Sequence, residues 1–323
     1  MNFRTEIERI TGLPELTHEC SIMTLGSCFA DEMGNILTSR LYHTLSNPVG
    51  TLFNPASIAV AVKDIVKFRQ YTQQMLAPDN NNIWHSFNHH SRFSHANPQT
   101  VVDGINAAIA NAHRFLQNSP LTIIITLGSA RVFKLKQSGE VVANCHKFNA
   151  DLFEIDDLDV AQIEDNLTHC IELINSINPQ TEFLFTVSPV RHKAYGLHAD
   201  KLSKARLLIA IDNVVRNHER CTYFPAYEIM IDDLRDYRFY AEDMVHPSRL
   251  AVEYIYECFA NACMTPQEQN LNRNLHKLYK RLKHHTDLDT SSLHKEILKQ
   301  VEEYGKHNHK LVDAFNTLTH GLQ

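Results

Sequence analysis

The run Leu121–Leu127, seven apolar or β-branched residues closed by Gly128, constrains this chain more than any other feature. A strand without a polar face must be covered on both sides, which parallel βαβ units provide. Similar short runs recur at 19–25, 42–45, 183–187 and 221–224, and the segments between them have helical spacing. Over 28–41, for example, Phe29, Met33, Ile36, Leu37 and Leu41 share one face. Asn54 followed by Pro55 supplies an N-cap and a first helical residue for a helix over 56–68. Further helices are predicted over 98–116, 160–177, 199–217 and 247–263, with a hairpin over 131–143 turning at Ser138-Gly139. The alternation predicts an α/β fold over 1–263: three α/β/α layers around a mostly parallel, doubly wound sheet.

After residue 263 the pattern changes. Leu271, Leu275, Leu278 and Leu282 are spaced 4-3-4, and Leu293, Ile297, Val301 and Tyr304 repeat the theme. Residues 264–323 are expected to form a helical arm, a hairpin or short coiled coil, that either folds back on the body or mediates self-association. The formal charge of −6 excludes a general nucleic-acid or anionic-membrane binder. No apolar run approaches the ~20 residues of a membrane span, and the first ten residues carry charges where a signal peptide has its apolar core. The expected compartment is the cytoplasm. Seven scattered cysteines without a Cys-x-x-Cys pair argue against a disulfide framework or a zinc knuckle.

In an open parallel sheet, reactive groups collect at the carboxyl ends of the strands. Here those ends hold Gly26-Ser27-Cys28, the stretch 47–54, Gly128-Ser129, Ser188 to His192, and the loop from Asp243 to Ser248. A nucleophile candidate thus follows the first strand, and an Asp-x-x-His follows the last. Both are what a hydrolase with a strand-end nucleophile and a C-terminal base needs.

The motif Thr-Leu-Gly-Ser-Cys-Phe-Ala at 24–30 resembles the signature of the GSCFA family, a branch of the SGNH/GDSL hydrolase superfamily. The resemblance extends through Asn-Pro-Val-Gly-Thr-Leu-Phe-Asn-Pro (47–55), Trp-His-Ser-Phe (84–87), Val-Ala-Asn-Cys-His-Lys (142–147), Ser-Pro-Val-Arg-His (188–192), Asp-Tyr-Arg-Phe-Tyr (236–240) and Asp-x-x-His-Pro-Ser (243–248). It implies a three-layer α/β/α fold and ester or acyl chemistry, without cofactor or metal. It also implies His246 as general base and Asp243 as the carboxylate that orients it. The competing assignment makes Asp243 the cap of the helix near Pro247 and His246 a surface residue.

Laid on Gly-Asp-Ser without a gap, Gly26-Ser27-Cys28 places Cys28 at the nucleophile position, where a helix N-terminus and an imidazole activate a thiol. Ser27 is the alternative nucleophile, or simply the helix N-cap, and Cys28 is then a core filler. For the oxyanion hole, Gly50 stands where the superfamily has its second-block glycine. After Gly128, however, Ser129-Ala130 replaces the expected Gly-x-Asn. Asn144 and Asn54 are the candidate replacements for the missing amide.

The polar stretch 74–97 is expected to be a loop or small insertion containing Trp84, His85, His89, His90 and His95. The pair His85-x3-His89 lacks an acidic third ligand, so a loop lining the substrate cleft is favoured, with Trp84 as stacking platform and His85 beside it. Arg191 and His192 are candidates to hold an anionic substrate group, unless Arg191 pairs with a helix C-terminus. The expected function is a hydrolase or acyltransferase acting on ester bonds, O-acyl carbohydrates among them. The alternatives are a ligand-binding module of the same fold that has lost catalysis, and a metalloprotein built on the histidine loop.

Overall fold

The computed structural model describes residues 5–284, 290–305 and 308–320. Five strands form a parallel sheet: β1 (Ser21–Gly26), β2 (His43–Ser46), β3 (Leu121–Leu127), β4 (Glu182–Val187) and β5 (Cys221–Tyr223). Their spatial order is 5-4-3-1-2, the order of a flavodoxin-like doubly wound sheet. Residues on β3 alternate between two cores. Leu121, Ile123, Ile125 and Leu127 pack into one, and Ile124 packs into the other. The first core is closed by α2 (Pro55–Val66), α3 (Pro98–Phe115), α4 (Val160–Asn175) and α5 (Leu197–Asn217). The second is closed by α1 (Cys28–Thr38) and α6 (Arg249–Cys263). Three α/β/α layers result, as expected from the alternating runs.

Local chemistry accounts for most boundaries. Asn54 caps α2 by accepting from the Ser57 N–H, with Pro55 in the first turn. Asp159 and Gln162 form a capping box on α4. The hairpin around Ser138-Gly139 forms as Arg131–Leu135 against Val141–Val142, and a third strand, Phe153–Asp157, joins it on the other side. Sequence periodicity does not show that strand. Its polar side chains are held by partners, with Asp157 on Arg131 at 2.7 Å and Asp156 on Lys134 at 2.6 Å. The segment 74–97 has only short elements, including an antiparallel bridge between Ala77–Pro78 and Trp84–His85.

The arm has three helices where the leucine spacing predicts a hairpin: α7 (Pro266–His284), α8 (Thr290–Tyr304) and α9 (His309–His320). Leu275, Leu278, Ile297, Val301, Leu311 and Phe315 bury one another against Leu41 of the body. Leu282 and Leu293 lie outside the residues whose side chains are described. At the root of α7, Glu268 accepts from Tyr42 Oη at 3.0 Å and pairs with the buried His18. Further on, α9 flanks β2 across a groove of about 390 Å³, and Lys310 donates to the Ser119 carbonyl at 3.0 Å. Among the described residues no helix is long and apolar enough to cross a membrane.

Candidate active site

A sheet of this order has its switch point between β1 and β3, the strands from which the chain winds in opposite directions. A cleft of about 580 Å³ opens at the carboxyl ends of the strands there. Its walls bring together Ser27 and Cys28 after β1, Asn54 at the cap of α2, Gly128 and Ser129 after β3, Arg191 and His192 after β4, and His246 from the last loop. Asn144 reaches the same cleft from beyond the hairpin. Residues from six separate stretches of sequence therefore share one cavity.

The turn after β1 is held by a buried polar network. Gly26 adopts φ +137°, and a Cβ there would meet the Thr126 carbonyl oxygen at 2.1 Å. The Gly26 N–H donates to Asn47 Oδ1 at 2.8 Å, and the Gly26 carbonyl accepts from the Leu52 N–H at 2.8 Å. Asn47 Nδ2 in turn donates to Asp31 at 2.8 Å, and Thr51 donates to the other oxygen of Asp31 at 3.0 Å. The exits of β1 and β2 are thereby locked to the first turn of α1.

On this frame Ser27 occupies the N-cap position of α1, yet its side chain makes no capping bond. Its Oγ is buried and has no hydrogen-bond partner among the described residues. A buried hydroxyl left unpaired beside a cleft is unusual and available for chemistry. Cys28 is half-buried. Burial first, with Asp31 and Glu32 adding to it, holds its thiol above the ordinary value despite the adjacent N–H groups of Phe29 and Cys28. The expected activation of the thiol is therefore not seen at this position. Both candidate nucleophiles remain at the cleft.

The loop carrying the candidate base is a tight Asx turn. Asp243 Oδ1 accepts from the N–H of Val245 and of His246, each at 3.0 Å. Asp243 Oδ2 lies 2.6 Å from His246 Nδ1. These three bonds, the backbone pair first, hold the Asp243 carboxyl far below the usual carboxylate range. A carboxylate only accepts, so Nδ1 carries the proton and Nε2 is the basic nitrogen. The cap of α6 is Ser248, which accepts from the Ala251 N–H at 3.3 Å. The helix therefore does not use Asp243 as its cap, and the carboxylate serves His246.

Other expected site residues fall elsewhere. Gly50 adopts φ +99°, donates its N–H to the Asn47 carbonyl at 2.8 Å and packs on His90, so it is a turn residue rather than an oxyanion donor. The N–H groups of Gly128 and Ser129 both go to the Phe53 carbonyl at 2.8 Å. Amide donors do reach the cleft from two of the expected residues. Asn54 uses Oδ1 on Ser57, and Asn144 uses Oδ1 on the His146 N–H at 2.9 Å, which leaves each Nδ2 as a donor. Arg191 is paired with the buried Asp200 at 3.2 Å rather than with a helix C-terminus, so its charge is balanced within the protein. His192 stacks on Tyr195, with ring centroids 4.9 Å apart, and burial lowers its pKa.

Trp84 and His85 are not on the cleft wall. Trp84 packs on the main core and pairs with His95 through backbone bonds, so it is no stacking platform. The His85 ring bonds Ser94 Oγ at 2.7 Å and lies against His146, with centroids 4.5 Å apart. His89 is buried between Tyr71 and Phe93, with Nδ1 on Ser86 Oγ at 2.8 Å. His85 and His89 are thus packed as core residues, whereas His90 borders the cleft and His95 is exposed.

Their burial has a pH consequence. His89 is pulled down to about 3, first by burial and then by the neighbouring His146. The unfolded chain takes up this proton near pH ~6.5 and the folded chain only near 3. Below about 6.5 the unfolded state binds more protons, so stability falls as pH falls, by up to ~1.4 kcal/mol per pH unit. His89→Gln should flatten the dependence of melting temperature on pH between 6.5 and 4. An unchanged slope would assign the acid sensitivity to other groups.

Residues that sequence spacing did not single out also shape the cleft. Phe53, Phe133 and Tyr195 give it an apolar wall, and Arg131 lies over the Tyr195 ring at 4.3 Å. Lys204, on the buried stripe of α5, reaches the Gly128 and Ser188 carbonyls behind it. Its signal was a lysine four residues after Asp200 on the sheet-facing side of an amphipathic helix.

The fold and the cleft define a doubly wound α/β protein with polar, titratable side chains gathered at the switch point of its sheet. The chain belongs to the GSCFA family, whose model matches residues 21–259. Among solved structures, one from Streptococcus pneumonia, named for a platelet activating factor, is 10% identical. It covers 75% of this chain and 83% of that one, with a TM-score of 0.38. No curated protein matches the sequence.

Proposed function

We propose that the protein is a hydrolase or acyltransferase of SGNH type acting on ester bonds. The observation that carries this reading is the shared cleft: a nucleophile turn at the N-terminus of α1 and an Asp243-oriented His246 face one cavity. In the proposed reaction His246 Nε2 takes the proton of the nucleophile as it attacks the ester carbonyl. The oxyanion is received by the first-turn N–H groups of α1 and by the Nδ2 of Asn54 or Asn144. The alcohol leaves with the proton from His246, and water or a second alcohol then releases the acyl group. The apolar wall of Phe53, Phe133 and Tyr195 suits the acyl chain.

Incubation with a short p-nitrophenyl ester tests this reading. A burst of p-nitrophenol is expected, with an acyl adduct on the peptide containing Ser27 and Cys28. Neutral hydroxylamine cleaves a thioester readily and an oxygen ester slowly, so it assigns the adduct to Cys28 or to Ser27. Turnover of no ester, with no adduct on this peptide, would overturn the reading in favour of a ligand-binding module.

A further inference from the structure

Lys204 is 1% exposed in the middle of α5. An ammonium so placed is costly to desolvate unless its surroundings compensate it. Its Nζ donates to the Gly128 carbonyl at 2.7 Å and to the Ser188 carbonyl at 2.8 Å, clasping the exit turns of β3 and β4. The third N–H has no protein acceptor among the described residues. The Tyr227 ring centroid lies 5.7 Å from Nζ.

One helical turn earlier is Asp200, also buried, which accepts from Arg191 at 3.2 Å and from the His192 N–H at 3.1 Å. Two cations, Arg191 and Lys204, thus share one carboxylate, and this buried set carries an excess positive charge. The Gly128 that Lys204 holds packs against Ser27: a Cβ on it would lie 3.4 Å from that of Ser27. The charged or titratable neighbours of Lys204 are Asp200, Arg191, Tyr227 and the Cys28 thiol. Those of Cys28 on its own helix are Asp31 and Glu32, both of which oppose a thiolate. Across the cleft stand His192 and His246. Burial lowers the Lys204 pKa only to about 8, so at neutral pH the ammonium is mostly charged.

We propose that Lys204 is a positioning residue whose buried charge stabilises negative charge at the amino end of α1, the Cys28 thiolate in the free protein. A fixed cation behind the reacting turn would act on a developing anion without reorganisation. The inference rests on the reading of that turn as the reacting end of the cleft. Its test needs no substrate, so its failure is separable from failure of the ester reading.

The rate of Cys28 alkylation by iodoacetamide is followed by peptide mapping from pH 6 to 10 in the wild type, Lys204→Met and Lys204→Arg. Lys204→Met is expected to make alkylation at pH 7, where the ammonium carries its charge, roughly tenfold slower. Lys204→Arg keeps the charge and should alkylate at pH 7 within about twofold of the wild-type rate. A folded Lys204→Met protein with an unchanged profile would overturn the proposal and leave Lys204 as a mechanical tie between two turns. If Lys204→Met does not fold, Lys204→Gln decides, because its amide N–H can still donate to a carbonyl but carries no charge. Alkylation at pH 7 should again slow roughly tenfold, and an unchanged rate would likewise overturn the proposal.

Discussion

His246→Ala is expected to lower ester turnover by at least about 10²-fold and to leave the melting temperature within about 2 °C of the wild type. Loss of a general base typically costs 10²–10⁴-fold, and His246 Nε2 is the basic nitrogen of the Asp243 pair. Stability is spared because the loop does not depend on the ring. Its Asx turn is made by backbone N–H groups, and it is tied to the sheet by the Arg191 N–H on the Val245 carbonyl at 3.0 Å. The imidazole itself is 48% exposed and buries little. Turnover measured beside thermal unfolding separates the cases. A variant that keeps its activity, or one that loses it only by unfolding, makes His246 a surface residue of the loop.

Gly26→Ala is the second large effect, and here the loss is structural. The new methyl would sit 2.1 Å from the Thr126 carbonyl oxygen, an atom of the central strand that cannot yield, and at φ +137°. Overpacking and a strained backbone of this kind cost roughly 3–5 kcal/mol together. That is a large share of the ~5–15 kcal/mol available to a folded protein. The melting temperature should fall by roughly 10 °C. A fall of less than about 3 °C would mean that β1 and β3 can part at this point without loss.

The layers were legible because buried parallel strands must be apolar throughout. Leu121–Leu127 ends where it was expected, and the helix caps at Asn54 and α4 follow from side-chain chemistry. Phe153–Asp157 was not legible, because three of its five residues are acidic and their partners, Arg131 and Lys134, lie two dozen residues away. In the site, the motif turns at 26–28 and 243–246 were legible through their chemistry. Gly50 misled, since a glycine marks a tight turn and says nothing of where its N–H is used. The histidine loop misled in another way. Polar composition suggests solvent, whereas His85 and His89 find hydroxyl partners and pack inside. Lys204 was hidden by context, since one lysine in an amphipathic helix is ordinarily solvated.

The placement of α9 bears on how the sheet meets other chains. An open sheet ends in two rims, each a row of unpaired N–H and C=O groups that can template a foreign strand. The rim at β5 is only three residues long, too short to recruit a partner firmly. The rim at β2 is flanked by α9, whose Ala314 and Thr317 face Thr44 and Leu45 across the narrow groove. The helices after residue 263 therefore work as an edge guard, and a shortened chain would lay open a strand that sits directly beside β1 and its reacting turn.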